Sequence, residues 1–220
     1  MFSFEGFVRI DAICRGLFRL AYLNLLWLAT TLLGLVVLGF GPASYAMATY
    51  LDGWLRHGET PPPTRTFVAA VREATGRSML VGAVLLGAGA VIVTNVFLAP
   101  VWIVQALNVV ALVVLGVAAA YVFPVMTATD LPTAGRQLAA ALLLGFGSLH
   151  WTILGATAVG LVEWLLWQYA TPLLLLFGAS LPAFAVALVT RIVFRPLVES
   201  PEVPLRSAVH PNAPVTEQAS

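Results

Sequence analysis

Fifty-two consecutive residues, Ser78 to Thr129, contain no charged side chain. As one helix they would run roughly 78 Å at about 1.5 Å per residue, against a hydrocarbon core of about 30 Å. The stretch must therefore turn back on itself. Pro100, with Asn95 and Ala99 beside it, supplies the break, because a proline inside a helix removes a backbone hydrogen bond and crowds the preceding turn. The spacing predicts a tight helical hairpin of about 78–98 and 102–124.

Three more charge-free stretches follow the same pattern: Leu20–Leu51 with 32 residues, Gln137–Val162 with 26 and Trp164–Thr190 with 27, where about 20 suffice for one crossing. With 60% apolar and 10% charged residues and a mean hydropathy of +0.94, the chain belongs in a bilayer. The first stretch is again too long for one crossing, and Gly39, Gly41 and Pro42 predict a turn there. The expected architecture is all-α, a polytopic bundle of six helical segments with a short second one over 42–56. The alternative keeps that helix out of the membrane core, or re-entrant, and leaves five full spans. The arginines favour six. In that arrangement Arg9, Arg15, Arg19, Arg56, Arg65, Arg72, Arg77, Arg136, Arg191, Arg195 and Arg206 all face the cytoplasm, as the positive-inside bias on short loops requires. Both chain ends are then cytoplasmic, and the opposite face carries Glu163 with an aromatic belt of Trp102, Trp164, Trp167 and Tyr169. Eleven arginines without a lysine suggest a GC-rich bacterial genome, and their placement points to a plasma membrane.

Several chemistries are excluded. A net charge of +1 from clustered charges offers no surface for nucleic acid. Cys14 stands alone, and histidines at 57, 150 and 210 are too scattered for a structural metal. Gly87-Ala88-Gly89 has Ile92 where a dinucleotide loop needs its third glycine. No paired carboxylates, activated nucleophile or phosphate loop is present, so no catalytic residue, no cofactor and no enzymatic activity is expected. The pairs Ala83/Gly87, Gly116/Ala120 and Ala156/Gly160, each four apart, read instead as sites of close helix approach.

Outside the spans, residues 1–19 have the pattern of an interfacial amphipathic helix: Phe7, Ile10, Cys14, Leu17 and Phe18 share one face, with Glu5/Arg9 and Asp11/Arg15 as supporting ion pairs. A transmembrane domain over 20–195 follows, with a cytoplasmic elbow at about 57–77. After Pro61-Pro62-Pro63 this elbow is amphipathic, with Phe67, Val68 and Val71 on one face and Arg72 and Arg77 around the rest. Phe67, Arg72 and Arg77 are its candidate partner-docking residues. The tail 196–220, rich in proline and poor in large apolar residues, is expected to be disordered. Polar residues inside a membrane are candidate contacts. Asn24, Asn95, Asn108 and His150 qualify; Asn24 and Asn108 are expected to bridge helices, His150 to be a hydrogen-bonded core histidine and Glu163 to be a solvated interfacial carboxylate.

The segments Leu23-Asn24-Leu25-Leu26-Trp27 and Gly39-Phe40-Gly41-Pro42-Ala43, then Gly58, the Phe67/Arg72 elbow, Tyr121-Val122-Phe123-Pro124 and Arg136 resemble the YesL-like family of small bacterial membrane proteins, a domain of unknown function. The resemblance covers about residues 5–195. It departs at Leu38-Gly39-Phe40-Gly41, where the family often has a proline and a threonine. The resemblance implies a structural corner built from Asn24, Gly41, Pro42 and Ala43, and an association with carbohydrate ABC transport. The resulting expectation is a non-enzymatic accessory or regulatory membrane protein that meets sugar-transporter subunits through the elbow. The alternative is a stand-alone small-solute transporter with Asn24, Asn95, Asn108 and His150 along its path.

Overall fold

The computed structural model of the chain describes residues 4–56, 58, 61–73, 75–129 and 133–198. Among the described residues the structure is all-helical: α1 (Phe4–Leu33), α2 (Val37–Arg56), α3 (Pro63–Glu73), α4 (Thr75–Leu98), α5 (Trp102–Ala128), α6 (Ala134–Gly147), α7 (Leu149–Tyr169), α8 (Thr171–Phe177) and α9 (Ser180–Val198). Four helices are long and apolar enough to cross a membrane: Ile10–Leu33 within α1, Gly76–Leu98 within α4, α5 and α7. The pair α8 and α9, bent by 48°, makes a fifth if it is one broken span. From Glu199 onward the tail expected to be disordered lies outside the described residues.

The amphipathic amino-terminal segment and the first apolar stretch form one uninterrupted helix, supported by the Asp11–Arg15 ion pair one turn apart. The turn after it does not use the glycine-proline motif. It falls at Gly34–Val36, where Leu35 and Val36 take φ of 54° and 65°. The Val36 N–H closes it by donating to the Thr31 carbonyl at 2.8 Å. Gly34 and Gly39 let the two helix ends meet, since a methyl group on either would overlap the other strand of the turn. Gly41, Pro42 and Ala43, expected at a corner, instead lie inside α2 and are buried. The reason is contact rather than bending: a side chain on Gly41 would overlap the Ser78 carbonyl, and one on Gly82 would meet the Gly41 backbone. Ser78 and Gly82, four apart on α4, are thus the small pair that admits α2.

This contact does not fit the six-crossing arrangement, which sets residues 42 and 78 on opposite faces of the membrane; the helices long and apolar enough to cross number four, or five with the bent pair. The two residues touch because α3 brings the chain back along α2. The Tyr50 hydroxyl donates to the Pro61 carbonyl at 3.4 Å near one end of α3, and Tyr45 shares a pocket with Glu73 and Arg77 near the other. α2 and α3 therefore form a returning hairpin. Enclosure explains why α2 is a poor membrane span by composition: Ala43, Ala46, Met47, Ala48, Tyr50 and Leu51 are buried, so the helix meets protein rather than lipid.

The hairpin of α4 and α5 turns at 99–101, as the proline predicts. α5 continues through Pro124 to Ala128, and its last turns, Tyr121 to Met126, supply much of one buried cluster. The single span expected over 137–162 is two helices. They part at Ser148, which breaks the helical dihedrals at φ −108°, ψ 33° and donates its hydroxyl to the Leu144 carbonyl at 2.7 Å. α7 contributes no buried residue and carries exposed Leu154, Leu161, Trp164 and Trp167 on the rim of the bundle. Gly87, Gly116 and Gly160, expected at tight helix approaches, have open space where a side chain would go. Close packing falls instead to Gly41, Gly82 and Gly145, the last against Val117 and Tyr121.

Candidate functional site

A cavity of about 300 Å³ lies between α1, α2, α5 and α9. Its direction along the bundle follows from two ring contacts. Phe40 at the start of α2 meets Phe123 late in α5, with centroids 6.1 Å apart, and Trp54 late in α2 meets Phe184 early in α9 at 5.9 Å. α2 is therefore antiparallel to both partners. Phe40 stands edge-on to Trp27 at 6.0 Å and 82°, and the Trp27 indole N–H donates to the Ser44 hydroxyl at 3.1 Å. The remaining wall is apolar apart from Asp52, Thr127 and Thr190. Both threonine hydroxyls donate within their own helices, to the Pro124 carbonyl at 2.8 Å and the Ala187 carbonyl at 3.0 Å.

The α9 wall of the cavity begins where the helix is broken. Gly178 and Ala179 interrupt the run between α8 and α9, leaving backbone groups that a bilayer cannot hydrate. Asn24 of α1, 1% exposed, satisfies them. Its amide nitrogen donates to the Leu175 carbonyl at 2.8 Å, and its oxygen accepts from the Ala179 N–H at 2.9 Å and the Ser180 N–H at 3.0 Å. Asn24 thus caps α9 from another helix, a use of the N-cap preference for asparagine. Ala179, Pro182 and Ala183, directly past the cap, line the cavity.

The other polar candidates do not converge there. Asn95 is exposed on α4. Asn108 donates to the Val104 carbonyl of its own helix at 2.8 Å rather than bridging helices. His150 is exposed in the first turn of α7, its ring 5.4 Å from that of Trp151; the helix break at Ser148 turns it outward, so it is no core histidine. Glu163 is half-buried and lines a second cavity, about 380 Å³, between α5, α7 and α9. Of the elbow residues, Phe67 is 1% exposed and anchors α3 in the bundle, which removes it from any docking surface. Arg72 is exposed on α3. Arg77 belongs to the first turn of α4 and lines a polar pocket of about 270 Å³ with Tyr45, Glu73, Thr129 and Gln137. Sequence reasoning missed Asp52 as a cavity residue and Ser78/Gly82 as the seat of Gly41. The four-residue spacing of Ser78 and Gly82 was the available signal.

The family model described as a protein of unknown function, DUF624, matches residues 20–96, the segment that runs from α1 through the returning hairpin into α4. The chain is similar to the uncharacterized protein YteU of Bacillus subtilis, 39% identical over 84 residues, which span 38% of this chain and 38% of that protein. It is also similar to the uncharacterized protein YesL of the same organism, 28% identical over 202 residues, spanning 88% of this chain and 93% of YesL. No solved structure matches. The matched residues include Asn24, Gly41, Ser78 and Gly82, the contacts on which the bundle closes, and the chain is similar there to the DUF624 family, whose function is unknown.

Proposed function

We propose that this protein is a non-enzymatic accessory or regulatory component of a carbohydrate ABC-transport system in a bacterial plasma membrane. The observation that carries the accessory role is the state of α3. Phe67 and Ala70 fix it against the bundle, while Arg65, Val68, Ala69 and Arg72 remain exposed on its outer side, so it offers a partner a fixed cationic surface. The carbohydrate link is what the family resemblance implies. The membrane reading counts five crossings: α1, α4, α5, α7 and the broken α8–α9. The bundle end that holds Arg77, Arg136 and Arg191 is cytoplasmic by the positive-inside bias. An odd count sets the amino terminus on the opposite face, in place of two cytoplasmic ends. Affinity purification in mild detergent, with and without sugar in the growth medium, tests the role. Sugar-permease subunits should co-purify in stoichiometric amount and be lost in an Arg65→Glu/Arg72→Glu variant; recovery of the chain alone in every condition overturns it.

A stand-alone small-solute transporter is the second reading. It is favoured by the helix break beside the 300 Å³ cavity, since interrupted helices commonly flank transporter binding sites. Uptake of labelled solute into proteoliposomes that disappears in a folded Ala183→Leu variant would establish it, and its absence from active-quality vesicles would exclude it.

A further inference from the structure

We infer that the cavity between α5, α7 and α9 is the seat of a transmembrane helix from a partner protein, one that carries a lysine or arginine at the depth of Glu163. The inference depends on neither the carbohydrate link nor the outer side of α3. Both α5 and α7 pack on α9, and the Tyr121 and Thr152 hydroxyls join the two helices at 2.7 Å. From Thr152, α7 continues eleven residues to Glu163, roughly 16 Å at about 1.5 Å per residue, along a cavity of about 380 Å³. Its sides are small: Gly116 and Ala120 on α5, Ala156 and Gly160 on α7. A side chain on either glycine would meet nothing, and such surfaces let a helix backbone approach closely.

Glu163 names the chemistry of the partner. It is half-buried, lines the cavity and sits six residues inside the end of α7, where a carboxylate is costly unless it is paired. Among the described residues its own chain brings no cation to it. α5 and α8 are uncharged, Arg136 opens α6 at its far end, and Arg191 lies beyond Val189, which faces Gly155 toward the Thr152 end. A second copy has no cation inside its charge-free stretches either. A phospholipid sets acyl chain rather than headgroup against Glu163, because exposed Trp167 and Tyr169 mark the interface, about 9 Å farther along the helix at its end. A basic residue carried on a neighbouring helix satisfies both the depth and the charge.

Energy transfer tests this on the full chain in phosphatidylcholine vesicles, with a dye on Cys14, its single cysteine. The probe is a labelled leucine-alanine peptide of about 21 residues with one lysine about six positions from its end, compared with leucine at that position. The lysine peptide should bind one per chain and about tenfold more tightly than the leucine peptide. Glu163→Gln should abolish that preference. Gly160→Leu, which blocks the cavity and keeps the carboxylate, should weaken both peptides, so the test survives if the Glu163 variant does not fold. Gly87→Leu, in open space on α4, should leave binding unchanged. Equal binding of the two peptides, no binding of the lysine peptide, or a lysine preference that survives Glu163→Gln overturns the proposal. So does energy transfer between copies of the chain that Gly160→Leu removes, which would make a second copy the occupant. A co-purifying phospholipid that Gly160→Leu releases and the lysine peptide does not displace would make the cavity a lipid seat, and overturns it too.

Discussion

Asn24 holds Ser180 in place: the side-chain oxygen of the first accepts a 3.0 Å hydrogen bond from the backbone nitrogen of the second, across 156 positions of sequence. The same side chain also bonds Leu175 and Ala179. One residue of α1 thereby supplies what the broken α8–α9 run cannot supply for itself.

Asn24→Ala should lower stability by at least about 2 kcal/mol, from three bonds worth about 0.6 kcal/mol each within a membrane bundle and a further penalty for polar groups left unpaired. Asn24→Asp keeps both acceptors toward α9 but sets a carboxylate oxygen against the Leu175 carbonyl in a buried site where a charge is costly, so it should destabilise at least as much as alanine. Thermal unfolding in detergent, followed by size-exclusion fluorescence, ranks the three proteins; alanine equal to wild type would contradict the capping role.

Gly41→Ala should be damaging because the added carbon meets the Ser78 backbone, which cannot rotate away. Over-packing of this kind costs about 1–3 kcal/mol, here toward the upper end. Gly87→Ala, where the space is open, should be neutral or slightly stabilising. The yield of monodisperse protein for the pair checks the contact.

Val36→Gly should stabilise. A β-branched residue at φ 65° carries about 1–2 kcal/mol of left-handed strain, and the glycine returns only about 0.5–1 kcal/mol of that through added chain freedom. A melting temperature below wild type would show that Val36 makes packing contacts worth more than its backbone strain.

Phe67→Ala should cost about 3–5 kcal/mol as a buried aromatic truncation, whereas Arg65→Glu, on the exposed side of α3, should leave the melting temperature nearly unchanged. A Phe67 variant that keeps full stability but loses a partner would restore Phe67 to a docking surface.

A cysteine placed at Ser3 in a Cys14→Ser background should react with a membrane-impermeant maleimide added outside intact cells. That is the result which the proposed five crossings require, with Arg77, Arg136 and Arg191 inside. Protection until the membrane is permeabilised would mean an even number.

Much of this was legible because bilayer chemistry is blunt. Charge-free length and Pro100 located α4, α5 and their turn, and Asn24 stood out because an amide in an apolar run needs partners. What was misread shares one cause. Glycine and proline at 39–42 read as bending signals, yet Gly41 serves close approach, while the actual turn uses Leu35 and Val36, residues with no turn preference. Likewise Gly87, Gly116 and Gly160 have the spacing of packing sites without a neighbour to pack against. Spacing records what a helix face permits; the identity of the facing helix is a long-range fact. The same holds for α2, whose middling composition suits neither water nor lipid and is explained only by the helices around it.

The seat of α2 also has a consequence for biogenesis. Gly41 closes on Ser78 and Gly82, residues that are synthesised some forty positions later. When α2 leaves the ribosome its resting place does not yet exist, and its sequence is too polar to partition into lipid unaided. It is expected to settle only after α4 has been made, so the order of translation and the order of assembly should differ in this chain. A ribosome stalled before α4 emerges would leave α2 open to protease, and one stalled after α5 would not.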